Sequence, residues 1–173
     1  MKKILFPLVC ALLLSISCKK NTSPPLESSI SASIDGVDET FNVNVSARQT
    51  SDEETGNTIM ISGTETSESG SGHIDIEVNL VPPIVKGTYP IKTGPPPGFV
   101  PTTSVSYFEG FETFWPTLNA AIPNLITISH ISSTNVQGTF SATVTLSGGY
   151  AEGLPTTKTI TNGKFNVNIK QSN

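Results

Sequence analysis

The segment Val136-Gln-Gly-Thr-Phe-Ser-Ala-Thr-Val-Thr-Leu146 alternates apolar and polar side chains along most of its length. Its large apolar residues stand at even positions and its polar residues at odd positions. Because successive side chains of a β-strand point to opposite faces, this period of two predicts a long strand with one buried and one solvated face. The same alternation recurs at Phe41–Val45, Ile74–Leu80 and Phe165–Ile169.

Shorter segments rich in Ile, Val and Thr bring the prediction to about ten strands. They are Ile30–Ile34, Thr58–Gly63, Gly87–Ile91, Thr103–Phe108, Leu125–Ile131 and Thr157–Thr161. Asp35-Gly36 and Asn162-Gly163 are typical of tight hairpins, whose central residues have positive φ. Short links between strands favour antiparallel pairing, because parallel strands need long crossovers. We therefore expect a single antiparallel β-sandwich, jelly-roll-like or immunoglobulin-like, and a partly open lipocalin-like barrel is the alternative.

The composition limits the function classes. The chain has 173 residues, of which 36% are apolar and 14% charged, with a formal net charge of −4. One domain of this length can bury a core, and we assign it to residues 30–173. Charged residues are too sparse for a coiled coil, and the negative net charge argues against nucleic-acid binding.

The N-terminus predicts an export signal. Lys2 and Lys3 precede an apolar run too short to span a bilayer, and small residues precede Cys18. We predict a lipoprotein signal peptide over residues 1–17, a lipid anchor at Cys18 and a flexible tether over residues 18–29, where Pro and polar residues prevail. The alternative is an ordinary secretory signal cut after Ser17. Loss of the two lysines would change the net charge from −4 to −6.

Few residues are suited to catalysis. The only histidines are His73 and His130, and no cysteine other than Cys18 would remain after processing, so we predict neither a metal site nor a cofactor. Asp75 and Glu77 share the polar face of one strand and could act as the paired carboxylates of a glycoside hydrolase. A solvated strand face is the simpler interpretation.

An aromatic segment interrupts the alternation. Tyr107, Phe111, Phe114 and Trp115 lie close together, and Trp115 is the only tryptophan. The sequence predicts a loop after Phe108 with one helical turn beginning at Pro116. Two interpretations stay open: the segment closes one end of the core, or it presents an aromatic surface to a glycan or a protein partner.

Two motifs resemble a known family. Gly138-Thr-Phe-Ser-Ala142 and Ile160-Thr-Asn-Gly-Lys-Phe165 are similar to segments of small lipoproteins of Bacteroidota whose function is unknown, although those proteins often have Phe where Ala142 stands. The resemblance implies a β-rich, lipid-anchored protein and supplies no active-site residue. Lipoproteins of that group exported to the surface tend to have acidic residues after the cysteine. Lys19 and Lys20 therefore favour the periplasmic side of the outer membrane over the cell surface.

The sequence thus predicts a lipid-anchored envelope protein that is a non-catalytic binding or structural module. Its expected partners are the membrane, through Cys18, and a glycan or an envelope protein. We expect no nucleic-acid partner. The alternative is a carbohydrate-active or other hydrolase that uses Asp75 and Glu77 beside the aromatic segment.

Overall fold

The structure, a computed structural model, describes residues 27–52, 56–66, 72–91, 102–117, 122–146 and 156–170. These ranges form eleven strands and no helix. The strands are β1 Ser29–Ile34, β2 Val37–Phe41, β3 Val43–Asp52, β4 Gly56–Thr64, β5 His73–Leu80, β6 Gly87–Pro90, β7 Thr103–Glu109, β8 Glu112–Pro116, β9 Leu125–Ile131, β10 Asn135–Leu146 and β11 Thr157–Lys170. The predicted signal peptide, Cys18 and most of the tether lie outside the described residues.

The strands form two layers that are joined at two corners. The order is β2-β1-β11-β3-β4-β5-β7-β8-β10-β9-β6, and β10 also pairs with β11. One layer is therefore β2-β1-β11-β10-β9-β6 and the other is β3-β4-β5-β7-β8. Two residue pairs join β11 to β3 and three join β10 to β8. Such short joints leave a sandwich-like arrangement and no clear barrel, which confirms the predicted all-β fold class.

One strand pair departs from the expected antiparallel pattern. β11 runs parallel to β3, with Ile169 opposite Ala47 and Lys170 opposite Arg48. The other pairings are antiparallel. Short links favour antiparallel pairing only between consecutive strands, whereas β3 and β11 are far apart along the chain. The sheet is therefore mixed.

The core lies between the two layers. In β10, the apolar residues at even positions up to Val144 are buried, as the alternation predicts. The layers meet closely at Gly63, where a Cβ atom would lie 3.1 Å from Ile30 Cδ1 and 3.2 Å from Phe41 Cβ. Gly63 belongs to one layer and its two neighbours to the other, so the absence of a side chain lets the layers approach.

Strands β10 and β11 interlock through two glycine–phenylalanine pairs. Gly138 lies opposite Phe165, and Phe140 lies opposite Gly163. A Cβ on Gly138 would stand 2.1 Å from the carbonyl oxygen of Thr127 and 2.4 Å from Phe165 Cζ, and one on Gly163 would stand 2.5 Å from the carbonyl oxygen of Phe140. Each ring thus covers a glycine on the facing strand, an arrangement in which an aromatic side chain compensates for the missing side chain of glycine in a sheet. This packing gives a physical reason for both motifs that carry the family resemblance.

The two predicted glycine hairpins have different outcomes. Asp35-Gly36 links β1 to β2 with φ values of 51° and 86°, which confirms the hairpin. The prediction at Asn162-Gly163 is wrong, because both residues lie inside β11. Asn162 has φ 53°, and the register shifts on both neighbouring strands there. Positive φ at Asn162 therefore serves a β-bulge instead of a turn.

The predicted loop with a helical turn at Pro116 is also wrong. Residues Glu112–Pro116 form β8, which pairs with β7 through a two-residue turn at Gly110 and Phe111. Gly110 has φ 62°, as in the type II′ turns of hairpins. Apolar residues occupy both faces of β8, which hides its alternation in the sequence.

Candidate functional site

The structure divides the four predicted aromatic site residues between core and surface. Tyr107 and Phe114 are buried, with their ring centroids 6.1 Å apart. Phe111 is fully exposed and Trp115 is 48% exposed. A ligand in solvent can reach the last two but not the first two. Tyr107 and Phe114 therefore belong to the core, whereas ligand binding by Phe111 and Trp115 stays a prediction.

Trp115 shares a solvent-facing surface with polar residues of β5 and β7. Asp75 is opposite Ser106, and Phe108 is opposite both His73 on β5 and Thr113 on β8. Trp115 follows Thr113 by two residues, so both side chains point to the same side. We call this surface the outer face. It comprises His73, Asp75, Glu77, Ser104, Phe108, Thr113 and Trp115, and the buried Ser106 lies within it.

Contacts of the imidazole fix the centre of the outer face. His73 Nε2 lies 2.9 Å from Asp75 Oδ1, and His73 Nδ1 lies 3.1 Å from Thr64 Oγ1. The ring also meets Phe108 edge to face, with centroids 5.3 Å apart. The carboxylate of Asp75 is thereby held in place. His73 is the first residue of β5 and continues the polar alternation of Asp75 and Glu77.

The paired carboxylates lie where the alternation predicts. Asp75 and Glu77 both point outward from β5, opposite Ser106 and Ser104. Burial raises the pKa of Glu77 above its ordinary value, and the neighbouring charge of Asp75 raises it further. The two acids stand side by side on one strand and not on opposite walls of a cleft. This arrangement is suited to accepting hydrogen bonds from hydroxyl groups of a ligand.

A second group, of four glutamates and one phenylalanine, lies at one end of the core. We call it the hairpin end, which comprises Glu39, Glu65, Glu109, Phe111 and Glu112. Beneath it lies Lys158, which is only 7% exposed. Lys158 Nζ is 2.7 Å from Glu109 Oε2 and lies 5.5 Å and 5.4 Å from the ring centroids of Tyr107 and Phe114.

The hairpin end carries an excess of negative charge. The hydroxyl of Tyr107 donates a hydrogen bond of 3.3 Å to Glu39 Oε2. Burial raises the pKa of Glu39, as does the charge of Glu65, while the Tyr107 hydrogen bond and Lys158 oppose the rise. The pKa of Tyr107 is also raised, first by burial and then by Glu39. Glu39 and Glu109 thus lie close to Lys158, while Glu65 lies near Glu39 and Glu112 lies opposite Glu109.

Three further findings concern His130, metal ligands and membrane spans. His130 is exposed on β9, away from the outer face. Over the ranges that the structure describes, no three His, Cys, Asp or Glu side chains are grouped so as to hold a metal ion. In the same ranges, no helix is long and apolar enough to cross a membrane.

Comparisons with known proteins give no family for this chain. No protein-family model, curated protein or solved structure matches it. The resemblance to small Bacteroidota lipoproteins therefore stays a prediction. Any proposal about function rests on the residues of the chain itself.

Proposed function

We propose that the protein is a lipid-anchored envelope protein that binds glycans, without catalysis, through its outer face. The observation that carries the proposal is the position of Trp115. This half-exposed indole lies on the same face as the ordered carboxylate of Asp75. A large exposed aromatic ring among polar residues is typical of a binding surface, because burial of the ring by a ligand is favourable.

The outer face offers the two kinds of contact that a sugar chain needs. The indole of Trp115 can stack on the apolar side of a sugar ring, while Asp75 and Glu77 accept hydrogen bonds from hydroxyl groups. Asp75 on β5 and Trp115 on β8 are separated by β7 alone. Their separation is about 10 Å at the usual spacing of strands, so a glycan that contacts both must extend beyond a single sugar ring.

Replacement of Trp115 by Ala should weaken glycan binding about 30-fold, the loss expected when a central aromatic contact worth about 2 kcal/mol is removed. Isothermal titration with soluble oligosaccharides measures this effect. In the wild-type protein, Trp115 is the only tryptophan, so a change in its fluorescence reports binding at this face. Val85→Ala removes another exposed apolar side chain and is the matched control. If Trp115→Ala and Val85→Ala bind equally well, the proposal fails.

The hydrolase alternative is supported by the raised pKa of Glu77 beside Asp75. A protonated carboxyl next to an ionised one can act as an acid–base pair. If the wild-type protein released reducing ends from a glycan, and Asp75→Asn and Glu77→Gln each abolished this release, the protein would be a hydrolase and the non-catalytic proposal would be wrong. We expect the wild-type protein to release none.

For the anchor, Cys18→Ala should abolish incorporation of radiolabelled palmitate into the full-length protein in a bacterial host. The acyl chains attach to the cysteine that becomes the N-terminus after processing, and Cys18 is the cysteine at the predicted cleavage site. The matched control is Cys10→Ala, because Cys10 lies in the predicted signal peptide and would be discarded with it. Label that persists in Cys18→Ala would refute lipidation at that site. Loss of label in Cys10→Ala would refute the predicted cleavage site.

A further inference from the structure

We propose that the hairpin end is a docking site for a protein partner with an apolar pocket edged by Lys or Arg, and that Phe111 enters this pocket. Phe111 is 102% exposed at the tip of the β7–β8 hairpin. Its ring has no intramolecular packing to lose, so its burial by a partner adds fully to affinity. Rigid aromatic side chains that fill a pocket are typical energetic centres of protein interfaces.

The hairpin holds Phe111 in a fixed position. Gly110 and Phe111 form a two-residue turn closed by the cross-strand pair of Glu109 and Glu112. One side of the turn is tied to the core, because Glu109 forms an ion pair of 2.7 Å with the buried Lys158. A side chain that is already positioned loses less conformational entropy on binding. The tip is therefore preorganised for a partner.

The charge around Phe111 selects the chemistry of the partner. Glu109 and Glu112 flank the aromatic ring in sequence, and Glu39 lies close enough to Glu65 and to Glu109 for their charges to act on it. Of these four carboxylates, Glu109 is already paired with Lys158, and Lys158 also lies near Glu39. Basic residues around a partner's pocket would relieve this repulsion and steer the approach of the two proteins.

The position of the hairpin end argues against the membrane as its occupant. Ser28 Oγ accepts a hydrogen bond of 3.0 Å from the backbone N–H of Asn168, so the chain enters the domain near the C-terminal end of β11. Lys158, beneath the hairpin end, lies near the opposite end of β11, about 33 Å away at the usual rise of a strand. If Cys18 carries the anchor, as proposed above, the tether joins the domain at the end remote from Phe111.

A second copy of this chain is also disfavoured. Contact between two identical hairpin ends would bring the same carboxylates together, and like charges repel across an interface. A basic partner protein is the occupant that the charge and position of this end both favour.

Site-specific photo-crosslinking tests the proposal in the anchored, full-length protein in its native host. A benzophenone side chain replaces Phe111, or Val85 in the control, which is also exposed but lies outside the hairpin end. We expect a covalent adduct with one protein at position 111 and none of that mass at position 85. Glu112→Lys should reduce the adduct about tenfold. Mass spectrometry should place the crosslinked peptide beside Lys or Arg in the partner.

Binding of the identified partner then gives the quantitative test. Phe111→Ala should weaken its affinity about 30-fold. A Lys→Glu or Arg→Glu change in the partner should restore binding to Glu112→Lys. The proposal would be overturned if no adduct formed, or if the adduct were with lipid, polysaccharide or a second copy of this chain. It would also be overturned if Glu112→Lys left the amount of adduct unchanged. Glycan binding through Trp115 should be unchanged in Phe111→Ala, so failure of either proposal can be distinguished from failure of the other.

Discussion

Gly138→Ala should lower the free energy of unfolding by about 3 kcal/mol. The new Cβ atom would stand 2.1 Å from the carbonyl oxygen of Thr127 and 2.4 Å from Phe165 Cζ. The ring can move, but the carbonyl belongs to the β9 backbone that pairs with β10. Relief of the clash therefore requires separation of paired strands, which is more costly than a change of rotamer.

Urea unfolding followed by circular dichroism measures this loss, with Gly87→Ala as the control. Gly87 also lies in a strand that pairs with β9, but a Cβ there would have no neighbour closer than 3.7 Å. We expect Gly87→Ala to change stability by less than about 0.5 kcal/mol. Equal effects of the two substitutions would show that Gly138 has no special role in packing.

The Gly138 contact also shows how far the fold could be predicted from the sequence. The strand over Val136–Leu146 was predictable because its alternation is local. The pairing of Gly138 with Phe165 was not, since the partner lies on another strand and no local pattern encodes it. Asp35-Gly36 and Asn162-Gly163 make the same point: both tolerate positive φ, but neighbouring strands make one a turn and the other a bulge.

The candidate site was predictable to a similar extent. The spacing of Asp75 and Glu77 is enough to place both on one face of a strand. The addition of Trp115 to that face requires the β5–β7–β8 pairing, which depends on long-range contacts. The burial of Phe114 and exposure of Trp115 follow from alternation, but only once Glu112–Pro116 is known to be a strand.

Lys158→Met should lower the free energy of unfolding by about 2–3 kcal/mol at neutral pH. Removal of one member of a buried ion pair usually costs more, but the Glu109 side chain is 41% exposed and can regain water. Methionine keeps most of the apolar contact with Tyr107 and Phe114, so the loss reports mainly the missing charge. Lys164→Met is the control, because Lys164 is an exposed residue of the same strand.

The dependence of this loss on pH separates charge from packing. Without Lys158, the repulsion among the carboxylates of the hairpin end is uncompensated. Because the pKa of Glu39 is raised, the folded state takes up a proton more readily than the unfolded state. The free energy of unfolding therefore increases as pH falls from above the folded-state pKa of Glu39 to below 4.5, its unfolded value. The difference between Lys158→Met and wild type should therefore shrink when urea unfolding is repeated at about pH 4, where carboxylates become protonated.

The double variant Lys158→Met with Glu109→Gln should recover part of the loss at pH 7. A loss that is equal at both pH values, and that Glu109→Gln does not reduce, would mean that Lys158 stabilises the fold by packing and not by its charge.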